Sequence, residues 1–236
     1  MFHQDGPSLW ELAEQALSST RDGYDKLGPK FDFTPFRTPQ DLLDRVGPLL
    51  GEAGSVDRAL DVCCGTGGGM KMLRPLCREE VVGVDFSEGM LTVAANELRR
   101  EEGVPFRLVQ DDAFEMDFDN EFDLATCFGA LGHVLPPDEP AFLGGIYRAL
   151  KPGGRFAILT HAYPPLYHPG LWAARGFNMA MHVRNAVLDP PFIMFYLTFT
   201  LPTAVQKIER HGFSVKVYDQ PFDGKYHRLK LLVATK

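Results

Sequence analysis

Apolar positions along the chain fall into two rhythms. Short runs such as Ala59 to Val62, Val81 to Val84, Phe106 to Val109, Glu121 to Cys127 and Arg155 to Thr160 have the length and β-branched content of buried strands. Phe213 to Tyr218 and Leu229 to Ala234 add two more near the end. Between them, apolar residues recur at helical spacing. Ser8 is placed to cap a helix with the stripe Leu9, Leu12, Ala13, Ala16 and Leu17. A second short helix is expected from Ser19 to Leu27, carrying Tyr24, and then a loop, Gly28 to Arg37, holding two prolines and three phenylalanines. Thr38-Pro39 reads as N-cap and first helical position of a third helix through Leu42, Leu43, Val46, Leu49 and Leu50. Further helices are expected over Gly68 to Leu76, Glu88 to Glu102 behind the cap Ser87, Asp138 to Leu150, and Thr203 to His211. Ala113 to Met116 reads as a helical turn. Strands alternating with helices predict an α/β fold with a mostly parallel sheet covered on both faces.

The 236 residues suffice for one such domain with appendages, and 45% hydrophobic content fills its core. A formal net charge of −7 lacks the non-specific pull on phosphate that nucleic-acid binders use, so a nucleic-acid partner is not expected. The first fifteen residues lack the basic start and apolar centre of a signal peptide, and the longest apolar run, Phe192 to Phe199, is too short for a membrane span. The four cysteines, at 63, 64, 77 and 127, have no metal-ligand spacing. Reduced thiols in a cytoplasmic protein without a metal are the expectation.

Chemistry gathers where strands end. Ala59 to Val62 breaks into a loop with Gly65, Gly67, Gly68 and Gly69 before a helix resumes. Glycine lets a backbone take positive φ and lie against a ligand, so this is a nucleotide-binding loop. The second strand ends in Asp85, about twenty residues on, where a carboxylate can hold a ribose diol. The third is followed at once by Asp111-Asp112. Acids at Asp61, Asp85 and Asp111/Asp112 make a poor host for pyrophosphate and a good one for a nucleoside bearing positive charge.

The run Leu60 to Gly67 resembles the first motif of class I S-adenosylmethionine-dependent methyltransferases, and Val82 to Met90 their second-strand motif. Asp112-Ala113-Phe114, Phe122 to Ala125 and Leu150 to Arg155 resemble the later motifs in order and spacing, so the likeness is good over residues 55 to 161. Cys63 departs from it, standing where most members have glycine; small residues occur there in methyltransferases similar to those of ubiquinone and menaquinone synthesis. The resemblance implies a Rossmann-like, mostly parallel seven-stranded sheet closed by an antiparallel hairpin. An N-terminal helical cap (1–52) would precede a methyltransferase domain (53–236) with an insertion after strand five (162–198).

It also implies S-adenosylmethionine as cofactor and S-adenosylhomocysteine as product. Gly65 and Gly67 would let the backbone approach the cofactor, the Cys63 carbonyl would accept from its ammonium, and Asp61 would lie within reach of the same group. Asp85 would accept both ribose hydroxyls, with Phe86 and Met90 flanking the adenine. Asp112 would accept from the exocyclic amine, with Ala113 or Phe114 donating to a ring nitrogen. Phe128 would line the methyl-donor end, and Tyr24, beside Asp25, would sit near the methionine end, an assignment balanced against simple packing of its helix.

The insertion is rich in aromatic residues and methionine. Drawn as a helix, Leu171 to Leu188 places Trp172, Gly176, Met179, Val183, Ala186 and Val187 on one face and Phe177, Met181 and Leu188 nearly opposite. Such a segment either roofs a cavity for a small, apolar or aromatic acceptor or makes extra core or a homodimer contact. His133 after strand four and His161 at the end of strand five are the candidate bases, a role left open because a histidine there is more often structural. The alternatives are an NAD-dependent oxidoreductase, whose third fingerprint glycine is badly spaced here, and a binding protein without turnover.

Overall fold

The computed structural model describes residues 4–236, so the first three residues of the expected cap lie outside the described residues. The strands are β1 (Val56–Val62), β2 (Cys77–Asp85), β3 (Phe106–Gln110), β4 (Phe122–Cys127), β5 (Leu150–His161), β6 (Ser214–Tyr218) and β7 (Leu229–Thr235). They form one sheet in the order β3-β2-β1-β4-β5-β7-β6. The first five pair in parallel, while β7 runs antiparallel to both β5 and β6. The order reverses at β1, where β2 lies on one side and β4 on the other, and a crevice opens there at the carboxyl ends of the strands.

Successive strand residues serve opposite faces. Leu60, Val62, Val82 and Val84 join the core under α6 (Glu139–Ala149) and α8 (Thr203–Glu209). Ala59 and Val81 join the core under α3 (Gln40–Leu50), α4 (Gly68–Leu73) and α5 (Glu88–Leu98). Phe122, Phe142 and Phe156 are fully buried on the first of these faces, each contributing about 1.5–3 kcal/mol. A third, smaller cluster of Met181, Phe192 and Phe195 lies beneath α7 (Pro169–Val187).

The N-terminal helices are α1 (Leu9–Leu17) and α2 (Thr20–Phe31). Ser8 and Glu11 make a capping box on α1 as the sequence suggests, but the stripe is not core: Leu9, Ala13, Ala16 and Leu17 are exposed and Leu12 is half-buried. This helix is an outer layer on α2, tied to it by Lys30–Glu11 and Lys26–Glu14 ion pairs. Helix α2 runs four residues past its expected end, through Pro29. That proline withholds the N–H that would have bonded Asp25 O, and the chain at Gly89 of α5 packs against this carbonyl so closely that a Cβ there would lie 2.4 Å from it. The Asp25 carboxylate then accepts from Ser87 Oγ at 2.7 Å and Gly89 N at 3.0 Å, clasping the cap to the start of α5.

Other boundaries moved for identifiable reasons. Pro39, not Thr38, occupies the N-cap of α3. Helix α4 gives way to a 3-10 turn, Arg74 to Leu76, and α5 stops at Leu98 rather than Glu102. The buried Arg74 guanidinium takes the Leu98 and Glu101 carbonyls, ending the helix from outside.

Candidate functional site

A cleft lies at the strand tips, walled by the cap on one side and the glycine loop on the other. Asp61, at the tip of β1, is buried beneath α4: its Oδ1 accepts from Thr126 Oγ1 at 2.7 Å, and a Cβ on Gly69 would lie 2.4 Å from its Oδ2. Only glycine fits over that carboxylate. Burial, and secondarily the charge of Asp85, push the Asp61 carboxyl up to about 7. Asp85 ends β2. Its Oδ2 accepts from Gly65 N at 2.8 Å and its Oδ1 from Ser87 N at 3.0 Å, so it shapes the loop as well as facing the cleft. Burial raises its carboxyl above the ordinary value while these N–H bonds oppose the rise.

Cys63 explains its own departure from the motif. It lies at φ +56°, the left-handed region that most side chains avoid, where most members of the resembled family carry glycine. Its side chain reaches the cleft and contacts Cys127, while Phe86, Met90 and Phe128 supply apolar wall. Tyr24 projects from α2 into the same space.

Eight of the twelve expected cofactor contacts therefore come together: Tyr24, Asp61, Cys63 and Gly65, with Asp85, Phe86, Met90 and Phe128. Four do not line the cleft. Gly67 sits behind the loop as the N-cap of α4. The Asp112 carboxylate accepts from Phe114 N at 3.0 Å in a local turn at the end of β3. The Ala113 side chain is buried and that of Phe114 packs on Phe142, while the role expected of them is a backbone N–H.

One cleft residue escaped the sequence reading. Arg37 lies in the stretch expected to be only an aromatic loop, and its Nη2 would be 3.8 Å from a Cβ on Gly68. Asp32 pairs with it at 3.0 Å and also accepts from Thr66 Oγ1 at 2.6 Å, joining cap to glycine loop. The Arg37 Nε is buried and makes no hydrogen bond, since its N–H is not aimed at that carboxylate. Arg37 Nη2 donates to Gln40 Oε1 at 3.4 Å, and the half-buried guanidinium beside the glycine loop could hold the carboxylate of an amino-acid tail whose ammonium Asp61 could meet. Its signal in the sequence was a lone arginine before a helix start.

A second cavity adjoins the first, sharing Tyr24, Phe31, Phe36, Gly129 and His133 with it. Its far wall is Leu159, Thr160 and His161 from β5 and its roof the chain from Met194 to Thr200. None of its lining residues is Asp, Glu, Lys or Arg. The roof is thus the extended part of the insertion, and α7 lies outside it. The face bearing Phe177 and Met181 packs on Phe192 and Phe195, and the face bearing Trp172, Met179, Val183 and Val187 is exposed.

His133 stands in the wall between the cavities. Its Nδ1 meets the Ile193 carbonyl and so carries the proton, leaving Nε2 to accept from Tyr24 Oη at 3.0 Å. Burial lowers the imidazole below its usual pKa, and burial with the nearby Asp85 charge raises the Tyr24 phenol. Both groups are therefore neutral at neutral pH. His161 faces the second cavity alone, its Nδ1 donating to Ala162 O at 2.9 Å. His168 caps α7 and His182 rests on Phe195, which leaves neither in the cavity.

An open sheet with this strand order, a glycine turn after β1 and a carboxylate at the tip of β2 together define the Rossmann-like fold of S-adenosylmethionine-dependent methyltransferases. Residues 59–154 match the family described as a methyltransferase domain. Over 112 residues it is 42% identical to a demethylmenaquinone methyltransferase of Staphylococcus aureus (strain MRSA252), covering 46% of this chain and 45% of that protein. The chain thus matches less than half the length of that relative. In fold it is similar to phosphoethanolamine N-methyltransferase 2 of Haemonchus contortus, solved with phosphomonomethylethanolamine and S-adenosylhomocysteine (TM-score 0.61, 20% identity, 83% of this chain and 52% of that one). It is also similar to an S-adenosylmethionine-dependent methyltransferase of Mesorhizobium loti (TM-score 0.58, 19% identity, 85% and 100%).

Proposed function

We propose that this protein transfers the methyl group of S-adenosylmethionine to a small, largely apolar acceptor held in the second cavity. The observation that carries the reading is the shared wall: a cleft lined by carboxylates and one arginine opens beside an uncharged chamber, with Tyr24 and His133 between them.

S-adenosylmethionine, when bound, supplies a methyl group already activated on sulfonium. Arg37 and Asp61 anchor its amino-acid tail, Asp85 accepts from its ribose, and Phe86 and Met90 flank its base. The chamber fixes the acceptor beside the methyl group and keeps water out, which is where most of the rate enhancement lies. An acceptor O–H or N–H gives its proton to the Tyr24–His133 pair as its heteroatom takes the methyl group: Tyr24 Oη passes its own proton to Nε2 and receives the acceptor's. Leu131, Leu159, Met194 and Phe199 favour an apolar body. A phosphorylated acceptor such as that of the Haemonchus contortus enzyme would lose its hydration with no cation in the chamber to compensate, so it is disfavoured here.

The acidic charge favours a small molecule over a nucleic acid, and four free cysteines suit a reducing, cytoplasmic setting. No described helix is long and apolar enough to cross a membrane. Calorimetry with S-adenosylhomocysteine and NADH, then methyl release over small phenols, amines and quinols, tests the reading. Binding of the homocysteine compound with transfer to an uncharged aromatic acceptor supports it; binding of NADH instead, or no transfer to any of them, removes it.

A further inference from the structure

The outward face of the insertion has no partner within the chain. Trp172, Met179, Val183 and Val187 form a stripe along α7, exposed by 58%, 65%, 58% and 76%, and Leu166 and Tyr167 extend it at the N-terminal end. From Trp172 to Val187 the stripe runs about 22 Å along the helix. Arg184 donates to the Ala16 and Ser18 carbonyls, which brings exposed Leu17 of α1 beside the same end.

Charge on this segment is opposite to that of the molecule. From Ala162 to Leu188 there is no Asp or Glu, the next acid being exposed Asp189 just past the helix, and the charged residues are Arg175 and Arg184, in a chain whose net charge is −7. On the helix Arg175 and His182 flank the stripe on one side; Arg184, on the other, is held by the Ala16, Ser18 and Pro190 carbonyls, so exposed Arg175 is the cation open to a partner. Arg175 lies over the Trp172 ring and donates to Tyr163 Oη, and the Trp172 indole N–H donates to Leu166 O. The polar handle of the tryptophan is thus satisfied inside the segment and its ring is left for an apolar medium. An exposed apolar helix face that carries a tryptophan with an arginine over its ring, continued by exposed Tyr163 and Tyr167 in the preceding loop, is the pattern of a helix lying in a bilayer surface.

We propose that the outer face of α7, with the Tyr163 to Tyr167 loop, docks on an anionic lipid surface. A second copy of the chain is the less suitable occupant, because a two-fold contact would set this cationic face against itself. The acidic remainder of the chain is repelled by such a surface only weakly beyond a Debye length of about 8 Å, so the apolar stripe with Arg175 beside it decides the contact. Docking there would place the roof of the acceptor chamber next to the lipid. The proposal rests on the exposed face alone and does not require the transfer reaction.

The test is flotation of the full chain with vesicles of phosphatidylcholine, with and without phosphatidylglycerol. A Trp10→Phe variant makes Trp172 the sole tryptophan reporter. Supporting results are binding to the phosphatidylglycerol vesicles only, a blue shift of Trp172 emission, loss of binding in high salt, and at least about a tenfold loss in the Arg175→Glu and Val183→Glu variants. Both residues are at the surface and outside the two cavities, so these variants are expected to keep their fold and their affinity for S-adenosylhomocysteine. No binding to either vesicle, equal binding to both, or a dimer that Val183→Glu dissociates would overturn the proposal. A failure of S-adenosylhomocysteine binding would instead strike the functional reading and leave this one standing.

Discussion

Tyr24 Oη donates to His133 Nε2 across 3.0 Å, joining the N-terminal cap to the turn after β4 at the wall both cavities share. Because Nδ1 is held by the Ile193 carbonyl, the imidazole has one tautomer and its lone pair faces the phenol. Removing the phenolic oxygen breaks the route to that lone pair but leaves the cofactor's polar partners intact. Tyr24→Phe is therefore expected to lower kcat by roughly 10²-fold while the Kd for S-adenosylhomocysteine changes by less than about threefold. Stopped-flow turnover with calorimetry separates the two, and a large rise in Kd with unchanged kcat would place Tyr24 among the cofactor contacts alone.

Asp85 has two duties, and its substitution should show both. Asp85→Ala removes acceptors from any ribose hydroxyls and also orphans the Gly65 and Ser87 N–H groups. We expect S-adenosylhomocysteine binding to weaken by about 1–3 kcal/mol and the unliganded protein to lose a similar amount of stability. Asp85→Asn keeps one acceptor oxygen and should lie between. Thermal melts with and without ligand read out the two effects; a variant that loses affinity with an unchanged melt would mean the loop does not lean on Asp85.

What the sequence conveyed, and what it withheld, divides along a physical line. Strand tips were legible because burial on both faces of a parallel sheet writes continuous apolar runs, and because Asp61 and Asp85 end such runs. The interior of the cap was not. Whether Leu9 and Leu17 face core or solvent depends on which element lies above them, and amphipathicity alone does not say. Asp112 was legible only as an acid after a strand, and its Oδ1 accepts from Phe114 N in its own turn. Arg37 was hidden because its value comes from Gly68 and Asp32 brought beside it in space.

Arg37 makes a distinction that few other residues in the cleft can make. If its guanidinium holds the carboxylate of the cofactor tail, Arg37→Ala should weaken S-adenosylhomocysteine roughly 10–100-fold and leave the decarboxylated analogue almost unaffected. Equal losses for both ligands would mean that Arg37 only ties the cap to the loop through Asp32.

Asp61 couples cofactor binding to pH. With its carboxyl at about 7 in the unliganded protein, a proton must leave before the side chain can meet an ammonium group. The affinity for S-adenosylmethionine should then fall more than about tenfold from pH 7.5 to 5.5, with release of a proton on binding, and Asp61→Asn should abolish both. The same shift has the opposite sign in folding. The folded-state pKa lies above the unfolded value near 3.8, so the folded chain holds this proton more tightly. The stability Asp61 contributes is complete below about pH 4 and is lost as the pH rises through about 7. Unliganded Asp61→Asn, which retains an acceptor for Thr126 and buries no charge, should therefore melt above the parent at pH 8 and close to it at pH 5. Differential scanning calorimetry at the two pH values decides it: a variant less stable at pH 8 would show that the buried carboxylate is already matched by groups around it.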